Sequence, residues 1–334
     1  MVKKDMQTKS QVKTAEKLFK AAIKAEEDGK FEKAQLLYEQ LIQTDKNLVA
    51  PQLRLAALLL DQHKYREAIK TARLIVKRYP KGVLTYSILG QCYVELRQFV
   101  QAEKIWRQYL AIKVTPQAYT YLGFTLSALS RIDEAISCYK NALKIDPNYE
   151  EAHYNLGCHY RLTSQYSLAE KHLRKAIGID SKYALAQAEL GAILLHKKNY
   201  KDAAQVLKKA IRLAPNDGWS RAYLANALWG LRKLKAADEQ YRKLIEIWPS
   251  TSHSYWCYGS FLADEGKDKS LAESHLRKAV EIESDDLSNY YLGKYLAYWN
   301  REREAEKYLR KAMRLGHGRA AALVTELYSP RSKK

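Results

Sequence analysis

Residues 153–160 read HYNLGCHY, which puts two imidazoles and a thiol within seven positions. These are the side chains that bind zinc and other borderline metals. On an α-helix, where successive residues advance by about 100°, His153 and Cys158 point roughly 140° apart, and His153 and His159 roughly 240° apart. A helical metal pair needs i, i+3 or i, i+4 spacing, and structural zinc sites usually offer CxxC or HxxxH pairs. Neither is present, so these three are expected to be ordinary residues of a helix, with no metal bound. No Gly-rich phosphate loop or nucleophile elbow occurs either, and the eight histidines are scattered. No catalytic residue and no cofactor are expected, and the chain is not read as an enzyme. Cys92, Cys138, Cys158 and Cys257 lie far apart without paired spacing, as expected of reduced thiols in a cytoplasmic compartment.

The elements that carry these residues follow from composition. Of 334 residues, 47% are apolar and 28% charged, ordinary for a folded protein, while 7 prolines and 14 glycines leave a text that favours helix. No stretch approaches the roughly 18 apolar residues of a membrane span. The longest apolar run, LRLAALLL at 53–60, contains Arg54. The basic N-terminal stretch has no apolar core behind it, Val2 excludes myristoylation, and no CaaX cysteine closes the chain, so no targeting or lipid signal is expected. The net charge of +20 raises the question of an anionic partner, which depends on where the charge sits.

A small residue recurs at Ala22, Ala56, Gly90, Gly123, Gly157, Gly191, Ala225, Gly259 and Gly293, with every gap 34 residues except one of 33. Alanines at 34, 68, 102, 135, 169, 203, 237, 272 and 305 keep the same period, with one residue inserted between Gly259 and Ala272. A constant period in this range marks a repeat architecture. Each unit holds two apolar-periodic segments split by a short polar break, and the small residues suit the point where two helices cross. Pro80, Pro147, Pro215 and Pro249 follow a second helix, and Pro51 and Pro116 open a first one, where a missing N–H matters least.

The pattern resembles tetratricopeptide repeats. Residues 116–149 supply Tyr119, Leu122, Gly123, Leu126, Ala135, Tyr139, Ala142 and Pro147 at the family's positions; residues 150–183 supply His153, Leu156, Gly157, Tyr160, Ala169, Leu173 and Ala176. The resemblance implies an all-α, right-handed solenoid of nine helix-turn-helix units at 15–48, 49–82, 83–115, 116–149, 150–183, 184–217, 218–251, 252–285 and 286–319. A capping helix at 320–328 would follow, with basic tails at 1–14 (expected to be disordered) and 329–334. His153 then stands where the family has a bulky packing residue.

The resemblance also implies that first helices line a concave groove and second helices a convex back. The groove should then carry Lys20, Arg54, Arg161 and Lys294 against eight acids, among them Glu26, Glu95, Glu151, Glu189 and Asp264, so the positive surplus belongs to the back. There Arg174-Lys175, Lys208-Lys209, Arg242-Lys243, Arg277-Lys278 and Arg310-Lys311 should form a ladder, either a solvated face or a contact for an anionic surface. The groove should present Trp219, Tyr223, Trp229, Trp256, Tyr290 and Tyr291, aromatics of the kind enriched at protein interfaces. The family's clamp for chaperone C-terminal tails is missing: only Asn155 fits, and Thr120, Phe124, Leu185 and Glu189 stand around it. The expected function is a protein-interaction scaffold holding a peptide or helix in the groove. The alternative is a basic solenoid that binds nucleic acid or an anionic membrane through its back. Elemental analysis of the purified protein checks the metal expectation; one tightly held zinc per chain that disappears in Cys158→Ala would overturn it.

Overall fold

The computed structural model describes residues 2–266 and 268–328. Among the described residues there are 19 helices and no strand. The first compact unit, Met1–Thr163, holds α1 (Val2–Glu27), α2 (Phe31–Thr44), α3 (Val49–Asp61), α4 (Tyr65–Arg78), α5 (Val83–Glu95), α6 (Phe99–Ile112), α7 (Pro116–Ala128), α8 (Ile132–Ile145) and α9 (Glu150–Leu162). The second, Ser164–Lys334, holds α10 (Tyr166–Ile179), α11 (Ala184–His196), α12 (Tyr200–Leu213), α13 (Gly218–Gly230), α14 (Leu234–Ile247), α15 (Ser252–Asp264), α16 (Lys269–Ile282), α17 (Asp286–Tyr298), α18 (Glu302–Arg314) and α19 (Gly318–Tyr328). The division falls inside the 150–183 unit. α1 begins at Val2, whereas the repeat spacing placed a tail before residue 15. The expected tail at 329–334 lies outside the described residues.

The fold is an all-α helical-repeat solenoid. Within each unit odd-numbered helices touch odd-numbered neighbours, as α3 does α5 and α11 does α13, and the even-numbered helices pack against them from outside. The odd helices are therefore covered on several sides. α11 buries Ala186, Gln187, Ala188, Leu190, Gly191, Ile193 and Leu194, whereas α12 buries one stripe, Ala203, Ala204, Leu207 and Ala210, and turns lysine and arginine outward.

The turn after an odd helix closes with a repeated bond pattern. The N–H of Lys64 reaches Leu59 O, that of Gln98 Tyr93 O, that of Arg131 Leu126 O and that of Asn199 Leu194 O, the 6→1 bond of a helix C-terminal motif. The residue before each of these donors must adopt positive φ. Gly29 and Gly266 do so, and so do His63, Arg97, Ser130, Ser164, Lys198, Arg232 and Asn300.

A second recurring bond joins five of the odd helices to the loops that lead into them. The side chain of the fourth helical residue donates to the backbone carbonyl six positions upstream: Gln52 to Lys46 O at 2.7 Å, Tyr86 to Pro80 O at 2.9 Å, His153 Nε2 to Pro147 O at 3.1 Å, Gln187 to Ser181 O at 2.8 Å and Arg221 to Pro215 O at 3.0 Å. His153 is one of these ties. Buried carbonyls left without a donor are destabilising, so the position needs a donor of suitable reach rather than a particular residue.

At the hairpin crossings the small residue leaves room for its partner helix. A Cβ on Gly90 would stand 2.4 Å from the Trp106 ring, and one on Gly191 2.5 Å from Leu207. Trp106 is 1% exposed and lies parallel to Tyr121 at 4.7 Å, so it has little room to retreat. Gly90→Ala should therefore destabilise the protein by about 1–3 kcal/mol, as overpacking does. Chemical denaturation of the full chain measures it, and an unchanged midpoint would mean that the crossing yields.

Candidate functional site

α13 places Trp219, Tyr223, Asn226 and Gly230 at i, i+4, i+7 and i+11, one face of the helix. In the second unit this face borders a hollow of about 730 Å³, lined by Ala192, Leu195 and His196 of α11, Tyr200 of α12, and Tyr223, Asn226, Trp229 and Gly230 of α13, with Arg232 at the following turn. A Cβ on Gly230 would come within 2.6 Å of the Tyr200 ring, so the glycine lets that ring close one side of the hollow.

Two polar anchors fix the lining. The Tyr241 hydroxyl donates to Asn226 Oδ1 at 2.5 Å, and burial pushes its pKa well above the usual range, so it stays a donor. Among the described residues no acceptor takes the Asn226 Nδ2 hydrogens, which leaves that amide as a donor at the hollow. Trp229 Nε1 donates to Glu265 Oε1 at 2.6 Å, and Arg232 reaches the two Glu265 oxygens at 2.7 and 3.1 Å. The Glu265 side chain is only 8% exposed, so the indole is held by a largely sheltered charge-assisted network.

The six aromatics expected in the groove divide into two groups. Tyr223 and Trp229 line the hollow, and Trp219, 48% exposed, lies one turn from Tyr223. Trp256, Tyr290 and Tyr291 are half-buried in a chain of rings. Trp219 meets His253 at 4.3 Å, His253 meets Trp256 edge-on at 4.7 Å, and Trp256 lies nearly parallel to Tyr291 at 4.6 Å. Tyr290 stacks on His317 at 4.1 Å. Each of these three has a face committed to a neighbour. Asn226, His196, Tyr200 and Arg232 were not foreseen; the i+3 step from Tyr223 was the signal for Asn226.

The outer pairs are exposed apart from half-buried Arg277, but most do not carry free charge. Arg174 pairs with Glu170 at 2.8 Å, Arg242 with Asp238 at 2.9 Å, Arg277 with Glu273 at 2.8 Å and Arg310 with Glu306 at 2.6 Å, each one turn apart on its own helix. Lys243 and Lys278 meet Glu239 and Glu281, and Lys311 donates to Ser284. Lys175, Lys208 and Lys209 have no carboxylate partner among the described residues.

In the first unit a smaller hollow of about 390 Å³ is lined by Phe19, Leu53, Arg54, Leu84 and Ile88 among others. Around the expected clamp position, Thr120 is buried and donates to Pro116 O, and Asn155 Nδ2 donates to Glu151 O at 2.9 Å. His159 stacks on Tyr139 at 5.5 Å, and burial lowers its pKa. Among the described residues no group of three His, Cys, Asp or Glu side chains is placed to hold a metal.

A family model described as TPR repeat matches residues 123–162, and one described as Tetratricopeptide repeat matches residues 163–218. The chain is 29% identical over 121 residues to the Hsp70-Hsp90 organizing protein of Triticum aestivum, covering 36% of this chain and 21% of that protein. It is 31% identical over 121 residues to Hsp70-Hsp90 organizing protein 1 of Glycine max, with the same coverage. The match thus spans about a fifth of the length of these relatives. A chain of the APC/C hetero-tetramer Cut9-Hcn1 superposes with a TM-score of 0.63 at 16% identity, covering 80% of this chain and 52% of that one, a likeness of fold.

The ring chain makes the second unit sensitive to acid. Burial between Trp219 and Trp256 pushes the His253 pKa down to about 4, against about 6.5 in an unfolded chain. Between those values the unfolded chain binds a proton that the folded one refuses, so stability falls as pH drops from about 6.5 to about 4, by a total on the order of 3 kcal/mol. Melting temperatures of the wild type should fall more steeply over this window than those of His253→Phe. Parallel slopes would assign the acid sensitivity to other groups.

Proposed function

Because the chain is a tetratricopeptide-repeat protein, we propose that it is a non-catalytic scaffold that holds an extended segment of a partner protein in the hollow beside α13. The observation that carries this reading is the convergence of Tyr223, Trp229 and the free Asn226 amide donors on one hollow. An apolar side chain of the segment would rest against the rings, and a backbone carbonyl would accept from Asn226. Exposed Trp219 extends the surface by a turn. The rigid mounting of Trp229 and Asn226 means that little side-chain freedom is lost on binding.

The family's chaperone-tail clamp is not part of this reading, because Thr120, Phe124, Leu185 and Glu189 supply no cation for a carboxylate. The second reading, nucleic acid or an anionic membrane along the whole back, has weaker support, since acids on the same helices neutralise most of the ladder. We place the protein in the cytoplasm, in keeping with cysteines that lie far apart in the sequence without paired spacing. Among the described residues no helix is long and apolar enough to cross a membrane.

The test is titration of a partner identified by affinity capture from the native host, using the full chain. Trp219→Ala and Tyr223→Ala should weaken it by at least about 2 kcal/mol each, as interface aromatics do, with the circular dichroism spectrum unchanged. Normal binding by both variants would remove the hollow from consideration.

A further inference from the structure

On four of the five outer helices α10 to α18, a cation of the basic pair is answered by an acid one turn earlier: Glu170, Asp238, Glu273 and Glu306. On α12 the same place holds Ala204, which is 6% exposed and packs inward. Lys208 consequently stands without a carboxylate, and so do Lys209 and Arg212 on the same helix and Lys175 on α10. On α12 a surface hollow of about 510 Å³, lined by Lys208, Lys209 and Arg212, reaches the hydrocarbon of Ile211 and the buried Leu224.

We propose that this outer hollow on α12 is a second docking site, which takes a short acidic segment of a partner protein carrying an apolar side chain. The charge complementarity is local. Lys208, Lys209 and Arg212 would face the carboxylates, while Ile211 and Leu224 would receive the apolar group. A nucleic-acid backbone or a lipid surface would be served by cations continuing over α14, α16 and α18, and there every member of the pairs except Lys311 is engaged by an acid. Neither of those ligands would use the apolar floor. The site lies on the outer layer, apart from the hollow beside α13, so the two can be tested separately.

The probe is a fluorescein-labelled Glu/Leu peptide about 12 residues long, titrated with the full-length protein by anisotropy at several salt concentrations. Lys208→Glu/Lys209→Glu should weaken binding by about 10-fold or more, whereas Arg242→Glu/Lys243→Glu, on the neighbouring neutralised rung, should change it by less than about twofold. An all-Glu peptide of equal length should bind more weakly than the Glu/Leu peptide. Trp219→Ala should leave binding unchanged, which separates failure here from failure of the inner hollow. Equal losses in the two charge-reversed proteins would mean diffuse attraction to a protein of net charge +20 and would overturn the proposal. So would single-stranded DNA or phosphatidylserine vesicles that bind more tightly than the peptide and lose binding on Lys208→Glu/Lys209→Glu.

Discussion

Two helices of one hairpin approach closely only where one presents almost no side chain and the other fills the space, as Trp106 does over Gly90 and Leu207 over Gly191. Much else in the fold rests on this contact. It sets the hairpin, and the hairpin sets which side of the odd helix remains for the next hairpin to cover. The faces left over by both contacts are the inner strip of the odd helices and the outer strip of the even ones. Both hollows of the second unit lie on such leftover strips, where sequence is released from packing and can answer to a ligand.

The repeat, the helix pairs and the crossings were legible because each depends on residue size at a fixed period. The loop tie was not. Gln52, Tyr86, His153, Gln187 and Arg221 share no size, charge or aromaticity, only a donor at the end of a side chain of adequate length. Type-based reading sees five unrelated residues there, and at His153 it sees a bulky packing residue rather than a donor. The aromatics were partly legible for a related reason: sequence shows that a ring is on the inner helix but not whether another ring already covers it, as Tyr291 covers Trp256.

The outer ladder holds a lesson about charge. Counting lysine and arginine by period produced a continuous stripe, but a charge is available to a partner only if its own helix does not answer it. The acids four residues earlier were in the sequence from the start. Reading the pair rather than the residue converts a stripe of five rungs into a patch centred on one, because the rule fails only at Ala204. Surface pairs of this kind contribute little to stability, so their main effect is on what the surface can attract.

Among the described residues, seven non-glycine residues are held at positive φ in the inter-helix turns, and they bear on how such a protein can change. The left-handed conformation costs an L-residue about 1–2 kcal/mol, and glycine would remove most of that while raising the entropy of the unfolded chain by less. The native sequence therefore sits below the stability its own backbone permits, with the shortfall spread over turns of which, in the second unit, only that of Arg232 borders a hollow. A substitution that remodels the inner or outer strip for a new ligand and weakens packing could be compensated by a single glycine in a turn of the same unit. Apart from Arg232, recognition and foldability are thereby placed on different residues, and selection can act on the first without exhausting the second.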